Sequence, residues 1–98
     1  MPEMTFTIRW PDGAVERCYS PSLVIRDHFA AGADYALADF RARARTALIE
    51  ASDRVQARYG FPCSRAMGQL DRIEAGCARF ATTTGARVRV ERFDDPAE

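Results

Sequence analysis

Lysine is absent from these 98 residues: all fourteen cations are arginine, and they balance fourteen Asp and Glu. A guanidinium fork binds carboxylate or phosphate better than an ammonium does, yet the loss of one cation type throughout is better explained by a GC-rich genome. With no net charge, no long-range field draws the chain to nucleic acid or to an anionic membrane. Long apolar runs are missing as well; Leu23 to Ile25, for example, holds three residues against the ~20 that cross a bilayer. Met1-Pro2-Glu3-Met4 has neither the basic region nor the apolar stretch of a signal peptide, so a cytoplasmic location is expected. Three cysteines, an odd number, argue against a disulfide framework. One histidine and no Cys-x-x-Cys argue against structural zinc, and neither a metal nor a cofactor is expected.

What is present fits a folded chain. Hydrophobic residues make up 47% and charged residues 29%, which suits one small domain over residues 1–98. Residues 4–10 alternate apolar and polar, the period of a strand whose Met4, Phe6, Ile8 and Trp10 face inward. Pro11-Asp12-Gly13 has tight-hairpin chemistry, so Ala14 to Tyr19 should return antiparallel as an edge strand, Cys18 and Glu16 on one face, Tyr19, Arg17 and Val15 on the other. Ser20-Pro21-Ser22 ends it, with Ser22 a good helix cap. Leu23 to Phe29 then reads as strand or short helix, with Gly32 favouring the helix.

From Leu37 the period changes. Leu37, Phe40, Ala44, Ala47, Leu48, Ala51 and Val55 recur at helical spacing, predicting a helix to about Arg58. Gly60 and Pro62 stop it. A second helix is expected from Ser64 to about Thr82, burying Ala66, Met67, Leu70, Ile73, Cys77 and Phe80. So short a connection makes the pair an antiparallel hairpin. Residues 87–93 alternate again, with Val88 and Val90 inward, and Asp94 to Glu98 form an acidic tail expected to fray. The predicted fold is therefore α+β, a two-layer sandwich in the order ββ(α)ααβ: a small, mainly antiparallel sheet made of the N-terminal hairpin and the C-terminal strand, covered by the helical hairpin.

Two runs gather unusual chemistry, Cys18-Tyr19-Ser20-Pro21-Ser22 and Tyr59-Gly60-Phe61-Pro62-Cys63-Ser64-Arg65. Cys63 is the strongest candidate nucleophile, because a helix start favours a thiolate and Arg65 would add to that. The competing reading has Ser64 capping the helix and Cys63 packed inward beside Phe61. Cys18 is a weaker candidate that could pair with Cys63 only if the hairpin end meets the helix start. Cys77 reads as core. His28, the one imidazole, could serve as base for a thiol if the fold brought it close. Pro2, the position of the base in tautomerases, lacks the strand and crossover helix those enzymes need. Arg41, Arg43, Arg45, Arg87 and Arg89 read as solvated charge, since Arg41 and Arg43 lie about 200° apart around a helix. The residues offered as a binding surface are Cys18, Tyr19, Ser20, Ser22, Tyr59 and Cys63.

Met-Pro-Glu-Met with Arg9-Trp10-Pro11-Asp12-Gly13, then Cys18-Tyr19-Ser20-Pro21-Ser22, Ala51-Ser52-Asp53-Arg54-Val55, Tyr59-Gly60-Phe61 and Cys63-Ser64-Arg65-Ala66 resembles a small bacterial family of nitrogen starvation response proteins, over nearly the whole chain. The resemblance implies gene clusters that also encode a nitrilase-type carbon–nitrogen hydrolase, a radical SAM protein and an acetyltransferase, and it assigns no role to any residue. Two functions follow as expectations. One is a non-enzymatic accessory protein that binds protein partners from that cluster, with no nucleic acid and no membrane. The other is a thiol enzyme or carrier centred on Cys63 with Cys18 or His28 assisting. A homodimer joined through a sheet edge is compatible with either.

Overall fold

A computed structural model describes residues 3–94. Seven elements follow in order: β1 (Met4–Arg9), β2 (Val15–Ser20), α1 (Ile25–His28), β3 (Asp34–Ala36), α2 (Leu37–Tyr59), α3 (Ser64–Arg79) and β4 (Arg87–Asp94). The strands form one antiparallel sheet in the order β2-β1-β4-β3, with the helices packed on one face. This is the α+β arrangement expected, with one strand more. Asp34–Ala36 was not anticipated; it pairs with β4 from Arg87 to Arg89 and makes the second edge.

The hairpin closes as its residues dictate. Trp10 N–H donates to Ala14 O at 2.8 Å and Gly13 N–H to Trp10 O at 2.9 Å. Gly13 takes a positive φ of 90°, which glycine alone adopts without strain, and Asp12 accepts from Ala14 N–H. Met4, Phe6, Ile8 and Trp10 all reach the core. β2 is an edge, and Cys18 lies on its buried side.

β4 departs from plain alternation. Thr7 pairs with Arg92 but Ile8 pairs with Val90, so β4 carries one extra residue there, a bulge. Strict alternation would place Phe93 with Arg89 and Glu91 on the outer face. The bulge returns it to the core side, opposite Phe6. Asp94, expected in a frayed tail, is instead the last strand residue and pairs with Thr5. The rest of that tail, like Pro2, lies outside the described residues.

Other boundaries shift for local reasons. Leu23 to Phe29 resolves to one helical turn, Ile25–His28. α3 ends at Arg79, short of Thr82. Ser64 does not cap it; Cys63 occupies the N-cap position, and no side chain caps the end. Met67, expected in the core, is only half-buried, while Gln69 and Gly76 are buried in α3. Both exceptions are contacts with the sheet. Gln69 Oε1 accepts the Tyr19 amide at 2.9 Å, satisfying an edge group of β2.

Gly76 lies against the indole of Trp10, where an added Cβ would overlap Cη2 and Cζ2. The same ring stacks on Phe80 at 6.0 Å and meets Phe40 of α2 edge-on at 5.9 Å. On the outer face the sheet carries ion pairs, Arg9–Glu91 at 2.9 Å and Arg92–Asp94 at 3.1 Å among them. Burial alone would raise the Asp94 carboxyl pKa, but hydrogen bonds from Thr7 and Arg92 and the nearby Arg17 charge outweigh it and hold it below the ordinary value.

Two predictions follow from this packing. Gly76→Ala gains ~1 kcal/mol of helix propensity, but the clash with Trp10 should cost about 2–3 kcal/mol, leaving the variant less stable by about 1–2 kcal/mol in urea unfolding. Asp94→Asn should be less stable than wild type at pH 7. A lowered carboxyl pKa stabilises the fold above the unfolded value of ~3.9 and loses that contribution as pH falls through the folded value. The gap between the two proteins should therefore begin to narrow as pH falls below about 4 and close only below the lowered folded value, as read by acid titrations followed by circular dichroism.

Candidate functional site

The fold separates the residues singled out in the sequence. Cys18 and Cys77 are buried. Burial pushes the Cys18 thiol far above its usual range, with Glu16 adding to the rise, and burial likewise raises Cys77. Neither is an available thiolate at neutral pH. Ser20 and Ser22 are buried too and serve the backbone: Ser20 Oγ donates to Ser22 O at 2.7 Å, and Ser22 Oγ accepts from Val24 N–H at 3.3 Å.

His28 belongs to another part of the molecule. Its Nε2 lies 3.1 Å from Glu50 Oε2 on α2, whereas Cys63 is tied to α2 through its N–H, which donates to Ser52 Oγ at 3.1 Å. Glu50 and Ser52 project about 200° apart around the helix. The imidazole and the thiol are thus fixed to opposite sides of α2, and no hydrogen bond joins them among the described residues. No cluster of three or more His, Cys, Asp or Glu side chains is arranged to hold a metal among the described residues.

Tyr19, Tyr59 and Cys63 are what remain at the surface, and the fold adds neighbours. The chain leaves α2 through Gly60, whose left-handed φ of 87° and N–H bond to Gln56 O at 2.8 Å form a tight stop. Pro62 and the Cys63–Ser52 bond fix the next residues. This geometry leaves Tyr59 54% and Phe61 64% exposed, the two most exposed aromatic side chains described. Arg58 lies over the Tyr59 ring.

Beyond the turn, Arg65 stacks on Tyr19 with its guanidinium carbon 3.9 Å from the ring centroid. Tyr19 Oη donates to Glu3 at 3.0 Å, and Glu3 is 3.6 Å from Arg65. Burial first, and then the bond to Glu3, push the Tyr19 phenol up to about 12, so it is a neutral hydrogen-bonding group and not a base. Cys63 is half-buried beside this cluster.

Sequence reasoning named Phe61 and Arg65 only in supporting roles. The signal for Phe61 was there: an aromatic between glycine and proline has no helical or strand face to bury it. Another hollow, of about 370 Å³, lies elsewhere, between the start of α2 and the end of α3. Its charged groups, Arg41 and Glu74, pair with each other at 3.5 Å.

With this geometry set out, comparison with known proteins gives one finding. The family model for "Nitrogen starvation-induced protein NitG" matches residues 5–93. No curated protein and no solved structure shows significant similarity.

The difference between the three thiols is directly measurable. Iodoacetamide applied to the native protein at neutral pH should modify Cys63 alone, with Cys18 and Cys77 reacting only after denaturation. Peptide mass analysis of the labelled chain reads the outcome.

Proposed function

We propose, for a chain that belongs to the family of the nitrogen starvation-induced protein NitG, a non-enzymatic role: it binds a protein partner through the turn between α2 and α3. The observation that carries this is the exposed pair Tyr59 and Phe61, held by Gly60 and Pro62 and flanked by Arg58 and Arg65. Aromatic and arginine side chains dominate the energetics of protein interfaces. An exposed apolar patch rimmed by polar residues is a common mark of an interaction site.

The remaining chemistry supports the same reading. Two of the three thiols are buried and the sole imidazole is bound elsewhere. No helix of the described residues is long and apolar enough to cross a membrane. The partners we put forward are the enzymes of a nitrilase-containing gene cluster, acting together with this protein in the cytoplasm under nitrogen starvation.

A second reading, a thiol-dependent enzyme or carrier, draws on one observation. Cys63 is the one accessible thiol described, at a helix start with no side-chain cap and no acidic residue in the first turn. Labelling faster than a free thiol at pH 7 would favour this reading over the first.

Co-purification with the clustered enzymes as bait tests the first reading. Wild type should be retained at micromolar concentration, and Phe61→Ala with Tyr59→Ala should be lost from the complex. Because both side chains face solvent, folding stability should change by less than about 0.5 kcal/mol. Equal retention of the double variant, or no retention of wild type, would overturn the proposal.

A further inference from the structure

We infer that the seam between α3 and the edge strand β2 is a docking groove for an acidic segment of a protein partner. This rests on the interaction role proposed above and specifies the chemistry of the partner. Two hollows lie end to end along the seam. The first, about 290 Å³, is lined by Tyr19, Ser64, Arg65, Gly68 and Arg72. The second, about 340 Å³, is lined by Glu16, Arg72, Ala75, Gly76 and Arg79. They share Arg72 and so form one groove.

Arg65, Arg72 and Arg79 are seven residues apart, nearly two full helical turns, so they stand in one row about 10 Å from one to the next. Gly68 and Ala75 lie between them. A Cβ added at Gly68 would meet nothing within 4 Å, which leaves the floor open to another chain.

Two of the three charges in this row lack an ion pair among the described residues, as do Arg26, Arg58 and Arg87 elsewhere; Arg72 donates to the neutral Gln69 Oε1 at 3.0 Å and Arg79 lies over the Trp10 and Phe80 rings. On α2, Arg41 and Arg45 share Glu74, Arg43 pairs with Asp39, and Arg54 with Glu50. On the sheet, Arg9, Arg17, Arg89 and Arg92 pair with Glu91 and Asp94. In the groove Arg65 has Glu3 at 3.6 Å, but neither Arg72 nor Arg79 is within ion-pair distance of a carboxylate among the described residues. The carboxylate that lines the groove, Glu16, is engaged by the Trp10 Nε1–H at 2.9 Å.

The occupant is therefore anionic, and its carboxylates must match a spacing of about 10 Å, three residues of extended chain. A peptide fits better than a nucleic acid. Base stacking needs an open aromatic face; along the groove itself the Tyr19 ring is covered by Arg65 and Trp10 is buried, and the exposed Tyr59 and Phe61 lie only on the turn at one end. One end of the groove also adjoins the Phe61 turn, which would take an apolar anchor beside the acidic run.

The test uses a fluorescein-labelled oligoglutamate of about ten residues and fluorescence anisotropy at low ionic strength. Wild type should bind it. Arg72→Glu with Arg79→Glu should weaken binding by about tenfold or more, and Arg72→Lys with Arg79→Lys should keep most of it. Arg26→Glu with Arg87→Glu, the same change in net charge on α1 and β4, should alter binding by less than about twofold. No binding by wild type, equal loss in that control, or tighter binding of an oligothymidylate of equal length would overturn the inference. The last result would assign the groove to nucleic acid. Circular dichroism checks folding; if the double reversal unfolds, Arg79→Glu alone must still lose binding several-fold. Phe61→Ala should leave oligoglutamate binding intact, so failure of the groove and failure of the aromatic turn are read separately.

Discussion

Within the shared core of sheet and helices, one side chain, Trp10, binds the hairpin to both long helices. It is placed by the hairpin turn at the end of β1, and its ring touches Phe40 of α2, Phe80 just beyond α3, and the backbone of α3 at Gly76. Its polar edge is satisfied by Glu16 from the returning strand, as a buried indole N–H requires. The absence of a side chain at Gly76 sets how near α3 comes to the sheet. Gln69 sits two turns earlier on the same helix, and the close approach lets its amide oxygen reach the Tyr19 N–H. A further turn back, Arg65 reaches the Tyr19 ring. One side of α3 thus carries the Trp10 contact near its end and the Tyr19 contacts nearer its start.

Local periodicity explains which parts of this were legible in the sequence. The alternation of Met4, Phe6, Ile8 and Trp10, the Pro11-Asp12-Gly13 turn and the stripe from Phe40 to Ala51 each declare themselves within one element. β3 does not. Asp34-Tyr35-Ala36 spans little more than one period of alternation, and its partner β4 lies some fifty residues further on. The bulge in β4 was equally hidden, since it exists only in the pairing with β1. Gln69 ran against expectation because glutamine is mostly exposed by type, and Gly76 because a residue without a side chain adds nothing to an apolar stripe. Each is buried for one long-range contact that no window along the chain contains.

The candidate site shows the same division. Tyr19, Tyr59 and Cys63 were named from the sequence and do reach the surface, but Cys18, Ser20 and Ser22 were named beside them and are buried. Proline and serine mark that run as special, and the specialness is spent on turning the chain between β2 and α1. The Arg65, Arg72 and Arg79 spacing was present in the sequence as a heptad. It gains meaning only when β2 is known to run beside it, because a row of arginines on an isolated helix is ordinary solvation.

Exposure at the α2–α3 turn is better explained by association than by folding. Burying an aromatic side chain is worth about 1.5–3 kcal/mol, and Phe61 forgoes most of that while its backbone is held by Gly60, Pro62 and the Cys63–Ser52 bond. A floppy loop could lose the same burial by chance, but a clamped one has already lost the freedom that binding would otherwise take away. Side-chain and loop ordering costs about 0.5–1.5 kcal/mol per immobilised group on association. Clamping the turn in advance lowers that cost, so a small aromatic patch can bind appreciably without a large interface. Thiol catalysis by a Cys63–His28 pair would call for the imidazole to converge on the thiol, and α2 holds the two on opposite sides.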